Sequence, residues 1–366
     1  MYFVYKINLI LKSNQHRVLG IMSGSSLDGI DLAYCDFRYE NTNLVQWELG
    51  QTQCFDIPEN IKQEVRDYGR LDPKEMMLLE RKFTLLCKDA VSSFLEDYKL
   101  VVDFIGLHGQ TLFHCPEEGI TYQLGDGKLL QYLIDIPVIS NFRKEDIIEG
   151  GQGTPMAPLA DKYLFSGSDV YLNLGGIANM TYWKDKLCVA YDLFPFNQYF
   201  NYYAKAEGLV YDKDGDIGRS GNYQDVLVEL FSSFPYFDKQ GAKSLDNNWI
   251  MQEFIPHSEK ADYSVADKMN SYYHFCVKHL MERIPGHTES IFITGGGAYN
   301  KFFIDILRYA SDKKGIEIIV PKDKIVDYKE AALIALAASY KWLGKENFIA
   351  SATGASKSVI GGTIYQ

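Results

Sequence analysis

None of the common nucleotide or hydrolase signatures occurs in this sequence. There is no G-x-x-x-x-G-K-[ST], which excludes a P-loop enzyme. No G-x-G-x-x-G follows a strand-like run, which argues against a Rossmann dinucleotide site. H-E-x-x-H and G-x-S-x-G are missing too. No apolar run reaches the roughly 20 residues that span a bilayer, so no membrane segment is expected. Positive charge is short: 37 Lys and Arg stand against 48 Asp and Glu, a net charge of −11. That balance disfavours nucleic acid and anionic membranes as general partners, but leaves room for local phosphate binding by backbone N–H groups.

The six cysteines are scattered, with no C-x-x-C pair and no zinc-like spacing. They suggest buried free thiols in a reducing, cytoplasmic setting. The apolar opening is interrupted by Lys6 and Lys12 and has no small-residue cleavage site, so it reads as no signal peptide. With 46% hydrophobic and 23% charged residues, the chain has an ordinary globular composition, and its 366 residues suggest two domains.

Strand-like and helix-like runs alternate, which predicts an α/β protein. Strands are expected at 17–22, 30–37, 44–55, 101–107, 138–140, 168–174 and 290–294, the fourth ending in a polar loop, HGQT. Helices are expected at 58–68, 73–98, 199–208, 265–284, 301–310 and 330–342. GIMSGSSLDGIDLAYCDF and LNLGGIANMTYW share one pattern of strand, glycine loop, strand. This is either an internal repeat or chance.

Three glycine loops follow strands: Gly24, Ser25, Ser26 and Gly29; Gly175 and Gly176; and Gly295, Gly296 and Gly297. One such loop alone reads sooner as an ordinary tight turn. Together they favour a nucleotide, because successive backbone N–H groups wrap phosphate oxygens and a side-chain-free turn admits a flat ring. Asp192 closes a strand before Pro195 and Asn197, as a general base or a turn cap. Asp28 and Asp31 hold a cation's waters or cap their turn. Glu330 opens a helix, where the dipole favours a carboxylate. His108 and His114 lack metal spacing and read as loop and packing residues.

In order along the chain, GIMSGSSLDGID, GLHGQTLFHCP, ITYQLGDG, NFRKEDIIEGGQGTPMAPLADKYLF, NLGGIANMT, TGGGAYN and KEAALIALA resemble the anhydro-N-acetylmuramic acid kinases. The resemblance runs from about Val18 to the C-terminus. It implies the actin-like, sugar-kinase and Hsp70 ATPase fold, with two related α/β domains flanking a cleft. The expected division is 1–144 plus 345–366 for the first domain and 145–344 for the second. It implies ATP and Mg²⁺ as cofactors, an amino-sugar substrate and a homodimer. The reaction is hydrolytic opening of 1,6-anhydro-N-acetylmuramic acid coupled to phosphorylation of O6. Gly24, Ser25, Ser26, Gly29, Gly175 and Gly176 then match the phosphate loops, and Gly295, Gly296, Gly297 and Asn300 the adenosine loop. Thr111, Arg143 and Glu330 match sugar-binding positions, and Asp192 matches the catalytic base. No direct metal-ligand pattern is implied.

The chain departs from the family in two places. The family's D-T-G-P-G-N is here Asp192, Leu193, Phe194, Pro195, Phe196, Asn197, and its P-K-S-T-G-R-E is here residues 242–248, AKSLDNN. Bulky residues at glycine positions are expected to prevent a close backbone approach. The departures leave open a binding protein that has lost its chemistry, or a kinase of another amino sugar.

Overall fold

The computed structural model describes the chain from Asn14 onward, except Ser25, Ser26, residues 240–242, Ser244, Asp246 and the side chain of Asn247. The expectations for the N-terminal segment, for Ser25 and Ser26 and for those positions of the AKSLDNN stretch lie outside the described residues.

The chain divides into two compact units, residues 1–166 with 328–366, and residues 167–327. The first contains β1 (Gln15–Ser23), β2 (Gly29–Glu40), β3 (Asn43–Asp56), β4 (Phe104–Cys115), β5 (Ile120–Leu124), β6 (Val138–Ser140) and β12 (Thr363–Tyr365). The second contains β7 (Val170–Leu174), β8 (Ile177–Lys184), β9 (Leu187–Pro195), β10 (Ser290–Thr294) and β11 (Glu317–Ile319).

The two sheets follow one plan. In the first, the order β6-β4-β1-β2-β3 combines an antiparallel meander, β1 to β3, with two strands parallel to β1. In the second, β11-β10-β7-β8-β9 repeats that order and those directions. The first sheet adds β12 at one edge and β5 as a hairpin on β4. The shared strand–glycine–strand pattern is thus a topological repeat, since both copies are the first hairpin of their sheet.

Packing explains the local choices. Ile and Leu from β1, β2 and β4 meet Leu79, Phe83, Cys87, Ala90, Val91 and Phe94 of the helix Pro73–Asp97. That helix starts at Asp72 in a capping box with Glu75. The second core is aromatic, with Tyr199, Phe200, Phe231, Phe254, Tyr272 and Phe275 in mutual contact. On the other face of the first sheet, Gly20 and Gly106 stand opposite each other on β1 and β4. A Cβ on Gly20 would collide with the Ala331 carbonyl and lie 2.9 Å from Ala335 N, and one on Gly106 would lie 2.7 Å from Ile334 O. The alanine-rich helix Asp323–Trp342 therefore rests directly on the strands.

Two expectations are corrected. HGQT is strand, not loop, because β5 pairs with residues 110–115 and carries β4 on to Cys115. The domain division also differs from the expected one: residues 145–166 and 328–344 group with the first unit. The reason is visible in buried links within it, Lys329 Nζ to Asp161 at 2.5 Å and Thr353 Oγ1 to Asp146 at 2.7 Å. Among the described residues, no helix is long and apolar enough to cross a membrane.

Candidate active site

The first glycine loop joins β1 to β2. Its turn closes with the Leu27 N–H donating to the Gly24 carbonyl at 3.1 Å. Ser23 Oγ lies 3.1 Å from the Gly29 carbonyl and 2.8 Å from Gln110 Oε1, tying the loop to β4. Gly29 has no room for a side chain, since a Cβ there would lie 2.9 Å from Phe55 O.

Beside that tie, still in the first unit, is a charged group. His108 and Thr111 are on β4, Arg143 caps the helix Lys144–Ile148, and Lys329 and Glu330 are on the long C-terminal helix. Arg143 Nε donates to His108 Nε2 at 3.1 Å. Burial lowers the Arg143 pKa to about 10, against an opposing attraction from Glu330. Glu330 is exposed, but the surrounding protein and Asp31 raise its carboxyl pKa, while Lys329 and Arg143 pull it down. Arg143 and Glu330 are therefore brought into electrostatic reach. Thr111, partly buried, follows Gln110, whose Nε2 donates to the Thr111 carbonyl at 3.2 Å.

In the second unit the other two glycine loops are adjacent, at the ends of the parallel strands β7 and β10. Gly295 has φ +83°, and a Cβ there would lie 2.6 Å from Asn173 Oδ1 and 2.8 Å from Leu174 O. Only glycine suits such a position. Asn300 caps the helix Lys301–Asp312, its Oδ1 accepting from Phe303 N–H at 3.0 Å and its Nδ2 donating to Tyr273 Oη at 2.6 Å.

Asp192, partly buried near the end of β9, accepts from Leu245 N–H on Oδ2 at 2.8 Å. Burial raises its pKa against that bond, making it a stronger base than an open aspartate. The chain after it is fixed at four points. Tyr236 Oη donates to the Asp192 carbonyl at 2.7 Å and Tyr272 Oη to the Pro195 carbonyl at 2.6 Å. Phe196 N–H donates to Gly176 O at 2.9 Å, and Asn197 N–H to Gly175 O at 3.1 Å.

Residues 16–366 match the family model described as anhydro-N-acetylmuramic acid kinase. The chain belongs to this family. It is 30% identical over 375 residues to the anhydro-N-acetylmuramic acid kinase of Sulfurimonas denitrificans, covering 95% of this chain and 99% of that one. It is 29% identical over 369 residues to the one from Agrobacterium fabrum, covering 94% and 97%. Among solved structures, component A of the Acidaminococcus fermentans (R)-2-hydroxyglutaryl-CoA dehydratase is similar at TM-score 0.44 and 13% identity, covering 90% of this chain and 99% of that one. The repeated strand order of the two sheets speaks for the fold.

Family membership sharpens the departures after Asp192. Leu193, Phe194 and Phe196 are fully buried in the second unit's core. The register of β9 shifts at Leu193, so Asn179 faces Asp192 and Ala178 faces Phe194. The Phe196 ring packs on Phe200 and Phe303 at 5.1 and 4.8 Å between centroids. Their side chains fill the interior, and the backbone meets both Gly175 and Gly176.

Sequence reasoning read His108 as a loop and packing residue, whereas it lies on β4, and passed over Gln110, Tyr236 and Tyr272. The available signal was position: each polar tip joins a strand end or a glycine loop.

Proposed function

We propose that this chain uses ATP to open 1,6-anhydro-N-acetylmuramic acid hydrolytically and to phosphorylate O6, giving N-acetylmuramic acid 6-phosphate. The observation that carries the reading is Asp192. One carboxylate oxygen is held by Leu245 N–H, the other has no hydrogen bond among the described residues, and burial raises the group's basicity. Asp192 takes a proton from water as the water oxygen bonds to C1. The C1–O6 bond breaks, and O6 bonds to the γ-phosphorus as ADP departs.

Gly175, Gly176 and the first loop, Gly24 to Gly29 with Ser25 and Ser26, bind phosphates through N–H groups. Gly295, Gly296, Gly297 and Asn300 receive the adenosine. Thr111, Arg143 and Glu330 hold the sugar. Asp28, exposed, and Asp31, partly exposed, offer hard oxygen donors beside the first loop, a fit for Mg²⁺, which keeps several waters and needs few protein ligands. Bound there, Mg²⁺ would neutralise charge on the phosphates. A homodimer follows from the family resemblance and is read directly by light scattering.

The inward packing of Leu193, Phe194 and Phe196 supports an active kinase over a binding protein without chemistry. The test is incubation with ATP, Mg²⁺ and the anhydro sugar, followed by mass spectrometry. A product that has gained both water and a phosphoryl group is expected. Bound ATP with an unchanged sugar would overturn the reading.

A further inference from the structure

His108 sits at 5% exposure on β4 with two ring contacts. Nδ1 is 2.9 Å from the Gly109 carbonyl, and Nε2 is 3.1 Å from Arg143 Nε. A carbonyl only accepts and a guanidinium only donates, so the proton is on Nδ1 and the lone pair on Nε2 faces Arg143. Burial first, and the guanidinium second, push the His108 pKa down to about 3, against the Gly109 bond. The imidazole stays neutral and remains an acceptor.

This has a directional effect. A guanidinium can grip a carboxylate through Nε and one terminal nitrogen, or end-on through both terminal nitrogens. His108 occupies Nε. Arg143 Nη1 and Nη2 make no hydrogen bond to any described residue, and Glu330 acts on Arg143 without a direct ion pair. Only the end-on fork is left for a ligand. The sugar in the proposed reaction is an acid, and its carboxylate is its one anionic group.

We propose that Arg143 takes the substrate's carboxylate end-on through Nη1 and Nη2, and that His108 is the positioning residue that fixes this orientation. This rests on the sugar-kinase reading above. It assigns selectivity for the acid over uncharged amino sugars to one pair of residues.

The test is calorimetric binding of 1,6-anhydro-N-acetylmuramic acid and of its methyl ester, with ATP binding measured in parallel. Wild-type protein is expected to bind the acid at least about tenfold more tightly than the ester, in line with a charge-assisted hydrogen bond. His108→Leu is expected to lose most of that preference while binding ATP and the ester as before. His108→Gln, which keeps an acceptor toward Arg143, retains it. Arg143→Lys, which keeps the charge without the fork, loses it. Equal wild-type affinity for acid and ester overturns the proposal, as does an undiminished acid preference in His108→Leu. Should His108→Leu fail to fold, the wild-type comparison and Arg143→Lys still decide. A wild-type protein that binds neither ligand refutes the sugar-kinase reading itself, an outcome distinct from equal binding of both.

Discussion

The ring of Phe196 occupies the space that a side chain on Gly297 would need. A Cβ at residue 297 would lie 2.9 Å from Phe196 Cδ1 and 2.7 Å from Leu174 Cβ. Phe196 also donates its N–H to Gly176. One residue thus supports the third glycine loop with its ring and the second with its backbone.

Gly297→Ala is expected to weaken ATP binding and lower the melting temperature, because neither the Phe196 ring nor the Leu174 side chain can yield within a close-packed core. Phe196→Leu, paired with Gly297→Ala, is expected to recover part of the loss. Differential scanning fluorimetry with and without ATP reads both effects, and independent losses in the double variant would refute the coupling.

Asp192→Asn is expected to abolish turnover while sparing ATP binding. It is also expected to raise stability near pH 7. Burial raises the Asp192 pKa, so its favourable contribution is present below the unfolded value and is lost as pH rises through the folded one. Asparagine never ionises and can still accept from Leu245 N–H. Melting curves should show the variant above wild type at neutral pH and the gap closing in acid.

The buried Lys329–Asp161 pair gives a third expectation. Burial raises the Asp161 pKa despite the lysine beside it. Lys329→Met leaves a carboxylate without its cation and should cost about 3 kcal/mol, measured by urea unfolding at pH 7. The double variant Lys329→Met, Asp161→Leu should recover most of it. If the single variant unfolds like wild type, the pair does not hold this part of the unit together.

Two histidines held neutral lower stability in acid. Burial lowers the pKa of both His108 and His279 to about 3. Between that value and the ordinary 6.5, the unfolded chain binds protons that the native state refuses, so stability falls as pH drops through this window. His279→Leu is expected to make the fall shallower in pH-dependent melts. An unchanged slope would mean that His279 is protonated in the native state.

Much of the candidate site was legible because short strings mark it. Gly295 to Gly297 and Gly175 with Gly176 are visible as runs, and Asp192 as a strand end. The pairing of His108 with Arg143 was not legible: 35 residues separate them, and only the adjacency of β4 and β6 brings them together. The inward direction of Leu193 and Phe196 was not legible, because the sequence shows size and not direction. A one-residue register shift in β9 decides that direction. Similarly, the unit boundary depends on buried pairs such as Lys329 with Asp161, distant in sequence and silent in composition.

The first unit is interrupted, and the second lies whole inside the interruption. On a ribosome this reverses the usual order of completion. Residues 167–327 emerge as one stretch and have every strand of their sheet before synthesis ends. The earlier-made β1 and β4 wait with an uncovered face, because the alanines that rest on Gly20 and Gly106 come from residues 331–338. The half that starts first finishes last, and a chain truncated before residue 328 would strand it with that face open.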